Sequence, residues 1–364
     1  MATNRRIMWY IAVTAGVVAA AAAVLWPGGD KPTPRPAQAV QATQAVPQTS
    51  KPRVLYVDSY HAGYPWSEGI TQGVCEVLKV ARSEGGDFDD SKSPVTFRVC
   101  RMDTKRNGAE EFKVRAALQV KQVIEAWQPD VVICADDNAS KYVIVPHFAN
   151  GDIPFVFCGV NWDASAYGFP CRNVTGMLEV SLITNLLDAM RPYARGVRMG
   201  LLGADNESNR KEAASYAKLG VVLDEVVFVE TFEQWKQSYR QLQKQVDMLI
   251  LAPPSFLAAE SGKGHDQAEA RTFVLENTRI PTGSVEDWIA PYSLICLAKL
   301  GNEQGEWAAQ AALRILAGAP PADIPVASNH HASTHLNMPL AKRMGVLFPI
   351  ELIEQAVLVT EDQE

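Results

Sequence analysis

From Arg53 onward, short apolar runs alternate with amphipathic stretches, and no other feature limits the fold of this chain as tightly. Val54–Val57, Val131–Cys134 and Phe155–Cys158 are short apolar runs, as strands buried on both faces are, and the mostly apolar Val95–Cys100 also reads as a strand. Helical patterns over Glu68–Arg82, Ala109–Trp127 and Lys141–Ala149 fill the gaps. That order specifies βαβ units, a parallel sheet with helices on both faces. The pattern restarts after Asn173-Val174-Thr175-Gly176. Helices over Ser181–Met190, Ser208–Leu219 and Phe232–Val246 are interleaved with strands at Val197–Leu202, Glu225–Val229 and Met248–Leu251. The expected fold is α/β, with two doubly wound parallel-sheet lobes and a ligand cleft between them. Residues 53–175 form the first lobe and 176–323 the second. Glu303–Ala317 reads as a helix ended by Gly318, and Ile324-Pro325-Val326 offers a return of 324–364 to the first lobe. A chain of 364 residues, 47% of them hydrophobic, is long and apolar enough for two such lobes.

The segment before Arg53 is of another kind. Ile7–Trp26 is an uncharged stretch of spanning length behind Arg5 and Arg6, so residues 1–26 read as a signal anchor or a signal peptide. Its apolar length favours the uncleaved anchor over a cleaved peptide. The body then lies outside the cytoplasm, tethered to the inner membrane through residues 7–26. Residues 27–52, rich in Pro, Ala, Gln and Thr, read as a partly extended linker. A net charge of −7 without a basic stripe argues against a nucleic-acid partner.

In open α/β sheets ligands gather outside the carboxyl ends of the strands, so the residues that follow each apolar run are the functional candidates. Val54–Val57 gives way to Asp58-Ser59-Tyr60-His61-Ala62-Gly63-Tyr64-Pro65-Trp66-Ser67, with Ser67 placed to cap the following helix. Val131–Cys134 runs into Asp136, Asp137 and Asn138, which can cap a helix or meet a ligand amine or hydroxyl. Phe155–Cys158 leads to Gly159, Asn161 and Trp162, an amide beside a stacking face. The second half adds Asn206 and Ser208, able to hold a carboxylate at a helix start or only to cap that helix, and then Ser255, Glu286 and Trp288. The candidate ligand set is therefore Ser59, Tyr60, His61, Trp66, Ser67, Asp136, Asp137, Asn138, Asn161, Trp162, Asn206, Ser208, Ser255, Glu286 and Trp288. Trp127, Trp235 and Trp307 fall inside helical patterns and read as packing residues.

Catalytic chemistry finds little support. His331 and His335 have i,i+4 spacing without an HExxH pattern, and His61 with Asp58 or Asp136 lacks an activated nucleophile beside it. Walker A and GxGxxG sequences are absent, and no cofactor is implied. The six cysteines show no CxxC spacing; Cys158 with Cys171 is the first pair to test for a disulfide in an oxidising compartment.

Several long phrases, in one order, resemble a family of bacterial ABC-transporter substrate-binding proteins. They are Ser59-Tyr60-His61-Ala62-Gly63-Tyr64-Pro65-Trp66-Ser67, Met102-Asp103-Thr104-Lys105-Arg106, Asp136-Asp137-Asn138-Ala139-Ser140-Lys141-Tyr142, Phe157-Cys158-Gly159-Val160-Asn161-Trp162, Asn173-Val174-Thr175-Gly176-Met177 and Glu303-Gln304-Gly305-Glu306-Trp307-Ala308. The family is the type I periplasmic-binding-protein-like group that includes aromatic amino-acid binders. The resemblance implies a two-lobed fold, a small organic solute in the cleft, a membrane permease as partner and no catalysis. Two roles share that expectation: capture of an amino acid or aromatic metabolite for an ABC transporter, and ligand sensing through a membrane receptor such as a kinase or cyclase.

Overall fold

Residues 50–83, 85–257 and 267–360 are described in the computed structural model of the protein. The expected anchor at 7–26 and nearly all of the linker lie outside the described residues, among which no helix is long and apolar enough to cross a membrane.

The strands of the first lobe are β1 (Arg53–Asp58), the short hairpin β2 (Ala81–Arg82) and β3 (Phe88–Asp89), β4 (Thr96–Arg101), β5 (Val131–Ala135), β6 (Phe155–Asn161) and β7 (Val174–Glu179). The second lobe begins with β8 (Met199–Ala204), β9 (Glu225–Val229), β10 (Met248–Leu251), β11 (Thr282–Ser284) and β12 (Ile295–Lys299). After them come β13 (Ala327–Ser328), β14 (Ala332–Asn337) and β15 (Val357–Val359). One sheet has the order β13-β7-β6-β5-β1-β4 and the other β15-β14-β12-β11-β10-β8-β9. Both lobes therefore share one winding. The chain steps from the first strand to a neighbour on one side, then crosses back and extends the sheet on the other. This places a topological switch point between β1 and β5 in the first lobe and between β8 and β10 in the second.

Burial follows the sequence pattern. Val54, Leu55, Tyr56 and Val57 are all 0% exposed, alternating between the two cores on either face of the first sheet. The second sheet is likewise packed on both faces, with Trp235, Phe232 and Tyr239 on one side and Leu186, Met190 and Leu336 on the other. Trp235 is a core residue, as its helical position implied.

The structure redraws the lobe boundaries. Gly301–Leu316, expected in the second lobe, is a helix of the first: it packs in the same core as β1, β5 and the helix Pro65–Leu78. Glycines allow this. A Cβ at Gly305 would lie 2.0 Å from the Ile70 carbonyl oxygen, and one at Gly73 would lie 2.2 Å from that of Asn302, so the two helices meet backbone to backbone. The return to the first sheet is brief, confined to β13 beside β7. Residues 332–359 then belong to the second lobe, where β14 pairs antiparallel with β12 and β15 parallel with β14. The chain thus crosses between lobes after Glu179, after Lys299 and after Ser328.

Two local expectations also change. Pro65 at the first helical position starts the helix Pro65–Leu78, so Ser67 lies inside it and its hydroxyl donates to Asp58 Oδ1 at 2.8 Å instead of capping. The helix expected from Lys141 begins directly after β5, as Asp136–Ala139 followed by a widened turn over Ser140–Ile144. All six cysteines are free, including Cys158, buried within β6, and Cys171.

Candidate functional site

At the switch point of the first lobe, the loop after β1 faces the helix start at Asp136, directly after β5. Asp136 takes φ 69°, a left-handed conformation unusual for an ordinary residue, and its carboxylate is buried. Trp66 Nε1 donates to Asp136 Oδ1 at 2.9 Å, whereas Oδ2 is buried with no hydrogen-bond partner among the described residues. Gly159 leaves room for this carboxylate, since a Cβ there would come within 2.8 Å of Asp136 Oδ1. Burial raises the Asp136 pKa well above the carboxylate range, and nearby Glu179 raises it further while the Trp66 bond opposes them.

The surrounding loops are knitted together. Ser59 Oγ donates to the Ala135 carbonyl at 2.6 Å and accepts the Ala139 N–H at 2.8 Å, so this fully buried hydroxyl joins the loop after β1 to the end of β5 and the helix that follows it. Asp58 accepts the Tyr60 N–H at 2.9 Å and stands 3.4 Å from Arg101 Nε, yet burial outweighs these partners and raises its pKa. Ser59 and Ser67 thus brace the loop. Tyr60 meets Tyr64 edge to face at 5.2 Å, with the Lys105 ammonium 5.3 Å from the Tyr60 ring. His61 Nδ1 donates to the Ala62 carbonyl at 2.9 Å, and its ring lies 5.7 Å from that of Tyr64. Asp137 accepts from Tyr167 Oη at 2.7 Å and Asn161 Nδ2 at 2.8 Å; Asn138 Nδ2 donates to Thr104 Oγ1 at 2.8 Å.

The carboxyl ends of the two sheets meet through charged contacts. Lys299, at the end of β12, pairs with Glu179 at the end of β7 at 2.7 Å and with Glu286 after β11 at 3.1 Å. Burial works against the Lys299 charge, but Glu179, Glu286 and Glu212 overcome it and raise its pKa. Burial raises that of Glu179, against the opposing pull of Lys299. Trp162, another left-handed residue at φ 57°, reaches from the first lobe into the second, donating through Nε1 to Glu212 Oε2 at 2.8 Å and meeting Tyr216 edge to face at 6.1 Å. Ser181 and Tyr216 also donate to Glu212.

The second switch point gathers Asn206, Ser208 and Ser255. Asn206 caps the helix Glu207–Lys218 by accepting the Asn209 N–H at 2.8 Å, and its amide donates to Ser255 Oγ at 3.4 Å. Ser208 is exposed in the first turn, and Trp288, in the short 3-10 helix Asp287–Tyr292 after β11, is 39% exposed. Sequence reasoning missed Glu179, Glu212 and Lys299. Leu294–Ala298 before Lys299 is an apolar run that ends in a charge, the same signal that pointed to Asp136, and Val174–Leu178 before Glu179 is a weaker one, interrupted by Thr175 and Gly176.

Two lobes of the same winding, joined by three crossings and meeting at their strand ends, define a two-lobed solute-binding fold. A family model described as ABC transporter substrate binding protein matches residues 102–360, so the chain belongs to that family. It is a family of extracytoplasmic binding proteins, not enzymes, and the protein is the substrate-binding component of an ABC transporter, taking a small ligand. Among solved structures, one similar protein is a ligand-free, open substrate-binding protein with adhesive properties from Clostridium difficile. It has 16% identity and a TM-score of 0.63 over 85% of this chain and 99% of that one. A second, a domain from Streptococcus pneumonia in complex with L-Trp, has 16% identity and a TM-score of 0.56 over 85% of this chain and 100% of that one. A conserved domain protein from Vibrio cholerae has a TM-score of 0.53 at 16% identity, over 85% of this chain and 100% of that one. No curated protein matches the sequence.

Proposed function

We propose that the interlobe cleft takes a small amino-acid-like solute with a flat side chain, its ammonium group on Asp136. The observation that carries this reading is the buried Asp136 Oδ2 without a partner, at a switch point where ligands of such sheets bind. A buried carboxylate oxygen left unpaired is costly, and an ammonium would relieve that cost. Glu179 adds negative potential, and Tyr60, Tyr64 and Trp66 supply aromatic surface next to it. Across the cleft, the first turn of the helix Glu207–Lys218, with Asn206, Ser208 and Ser255, suits a ligand carboxylate. His61, Asp137, Asn138, Asn161, Glu286 and Trp288 frame the two walls. The protein then presents this solute to its permease while tethered to the cytoplasmic membrane through residues 7–26; recovery of the protein in the soluble periplasmic fraction would contradict the tether.

Thermal-shift titration with four probes tests the ligand class: L-tryptophan, L-phenylalanine, tryptamine and indole-3-propionate. A solute at 100 times its Kd stabilises the folded state by about 2.7 kcal/mol. The amino acids should raise the melting temperature most, and tryptamine should do so more than indole-3-propionate. A larger shift with the propionate than with the amine, or none with any probe, would contradict this reading.

A further inference from the structure

Away from the Asp136 wall, the second and third crossings come together around Glu303. This residue lies in the first turn of the helix Gly301–Leu316, with its side chain 7% exposed. His330 and His331, in the third crossing, have side chains 73% and 65% exposed. The Glu303 carboxylate accepts both of their backbone N–H groups, at 3.0 Å each, one on each oxygen. The imidazoles then fold back over the same carboxylate. His330 Nδ1 is 3.2 Å and His331 Nδ1 3.6 Å from Glu303 Oε1, with ring centroids 4.2 Å apart.

We propose that Glu303, His330 and His331 form a binding site for a divalent transition-metal ion of the zinc type. One ligand atom from each of the three falls within 4.8 Å of the others. A tetrahedral ion with ligands at about 2.1 Å needs ligand atoms about 3.4 Å apart, and the two nitrogen–oxygen separations bracket that spacing. Two imidazoles and one carboxylate suit zinc or its first-row neighbours, whereas magnesium and calcium prefer oxygen alone. The carboxylate is already oriented, because the two backbone N–H groups hold it as outer-shell partners hold metal ligands. The third crossing is itself anchored: the Asn329 side chain accepts the Val180 N–H at 2.7 Å and donates to the Val180 carbonyl at 3.0 Å. An ion here would tie together two of the three crossings, with a fourth position open to water. His331 and His335, whose i,i+4 spacing came without a metal-binding pattern, do not face each other, since Ala332–Asn337 is a strand and four residues along it span about 13 Å.

The test is calorimetric titration of the tag-free full-length protein with zinc chloride. The unaltered protein should bind one zinc ion, and the double variant H330A/H331A should lose at least about tenfold in affinity at an unchanged melting temperature. Cobalt(II) should give the visible absorption of a tetrahedral site in the parent and not in the double variant, and H61A should bind zinc as the parent does. Failure of the parent to bind zinc, or equal binding by H330A/H331A, would overturn the assignment.

Discussion

Asp136 is a carboxyl group placed where the fold makes its charge expensive, and its neighbours do not fully offset that cost. Asn suits the left-handed backbone at this position and its Oδ1 can still accept from Trp66. Asp136→Asn is therefore expected to stabilise the empty protein, by about 1–2 kcal/mol, while weakening solute binding at least about tenfold. Denaturant unfolding of both forms measures the first effect. Because the Asp136 pKa is raised on folding, its stabilising contribution is complete below the unfolded carboxylate value and is lost as pH rises through the folded one. The stability gap between variant and parent should accordingly widen with pH. Solute affinity should follow the opposite course, rising with pH through the same range, because an ammonium pairs with the ionised form. Lys299 has the converse role. Its removal strands Glu179 and Glu286, so Lys299→Met should cost about 3–5 kcal/mol, part of it recovered by adding Glu179→Gln.

The helix pair Pro65–Leu78 and Gly301–Leu316 governs which lobe each crossing joins. Gly305→Val would force the helices apart at the Ile70 carbonyl and should destabilise the protein by about 1–3 kcal/mol, measured by denaturant unfolding. At this scale the sequence was legible where a pattern is local. The apolar runs ending at Asp58, Asp136 and Asn161 read correctly as strands with polar ends, because continuous β-branched burial leaves a clear signature. The Pro65 start was overlooked in favour of Ser67, although proline at a first helical position is an equally local signal. The placement of Gly301–Leu316 was not legible, since Gly301 and Gly305 acquire meaning only against the backbone of the helix Pro65–Leu78, more than two hundred residues earlier. Glu212 escaped for the same reason, since its partner Trp162 lies on the other lobe. Glu179 ends a strand and left a local signal that went unread; only its pairing with Lys299 is non-local.

For the whole molecule, repetition of one winding creates two switch points, and the three crossings bring the strand ends of both lobes together. The first wall is acidic and aromatic; the second offers a capped helix start with hydroxyl and amide groups. The amino-acid-like solute proposed above would satisfy both, and neither wall alone would distinguish it from a simple amine or a simple acid. The most direct measurement is isothermal titration of the parent protein and D136N with L-tryptophan or whichever probe gives the largest thermal shift. Expected is single-site binding to the parent with uptake of heat or its release varying with buffer, as Asp136 gives up its proton, and at least about tenfold weaker binding to D136N without that buffer dependence. Equal affinity for the two proteins would contradict the placement of the ligand ammonium on Asp136.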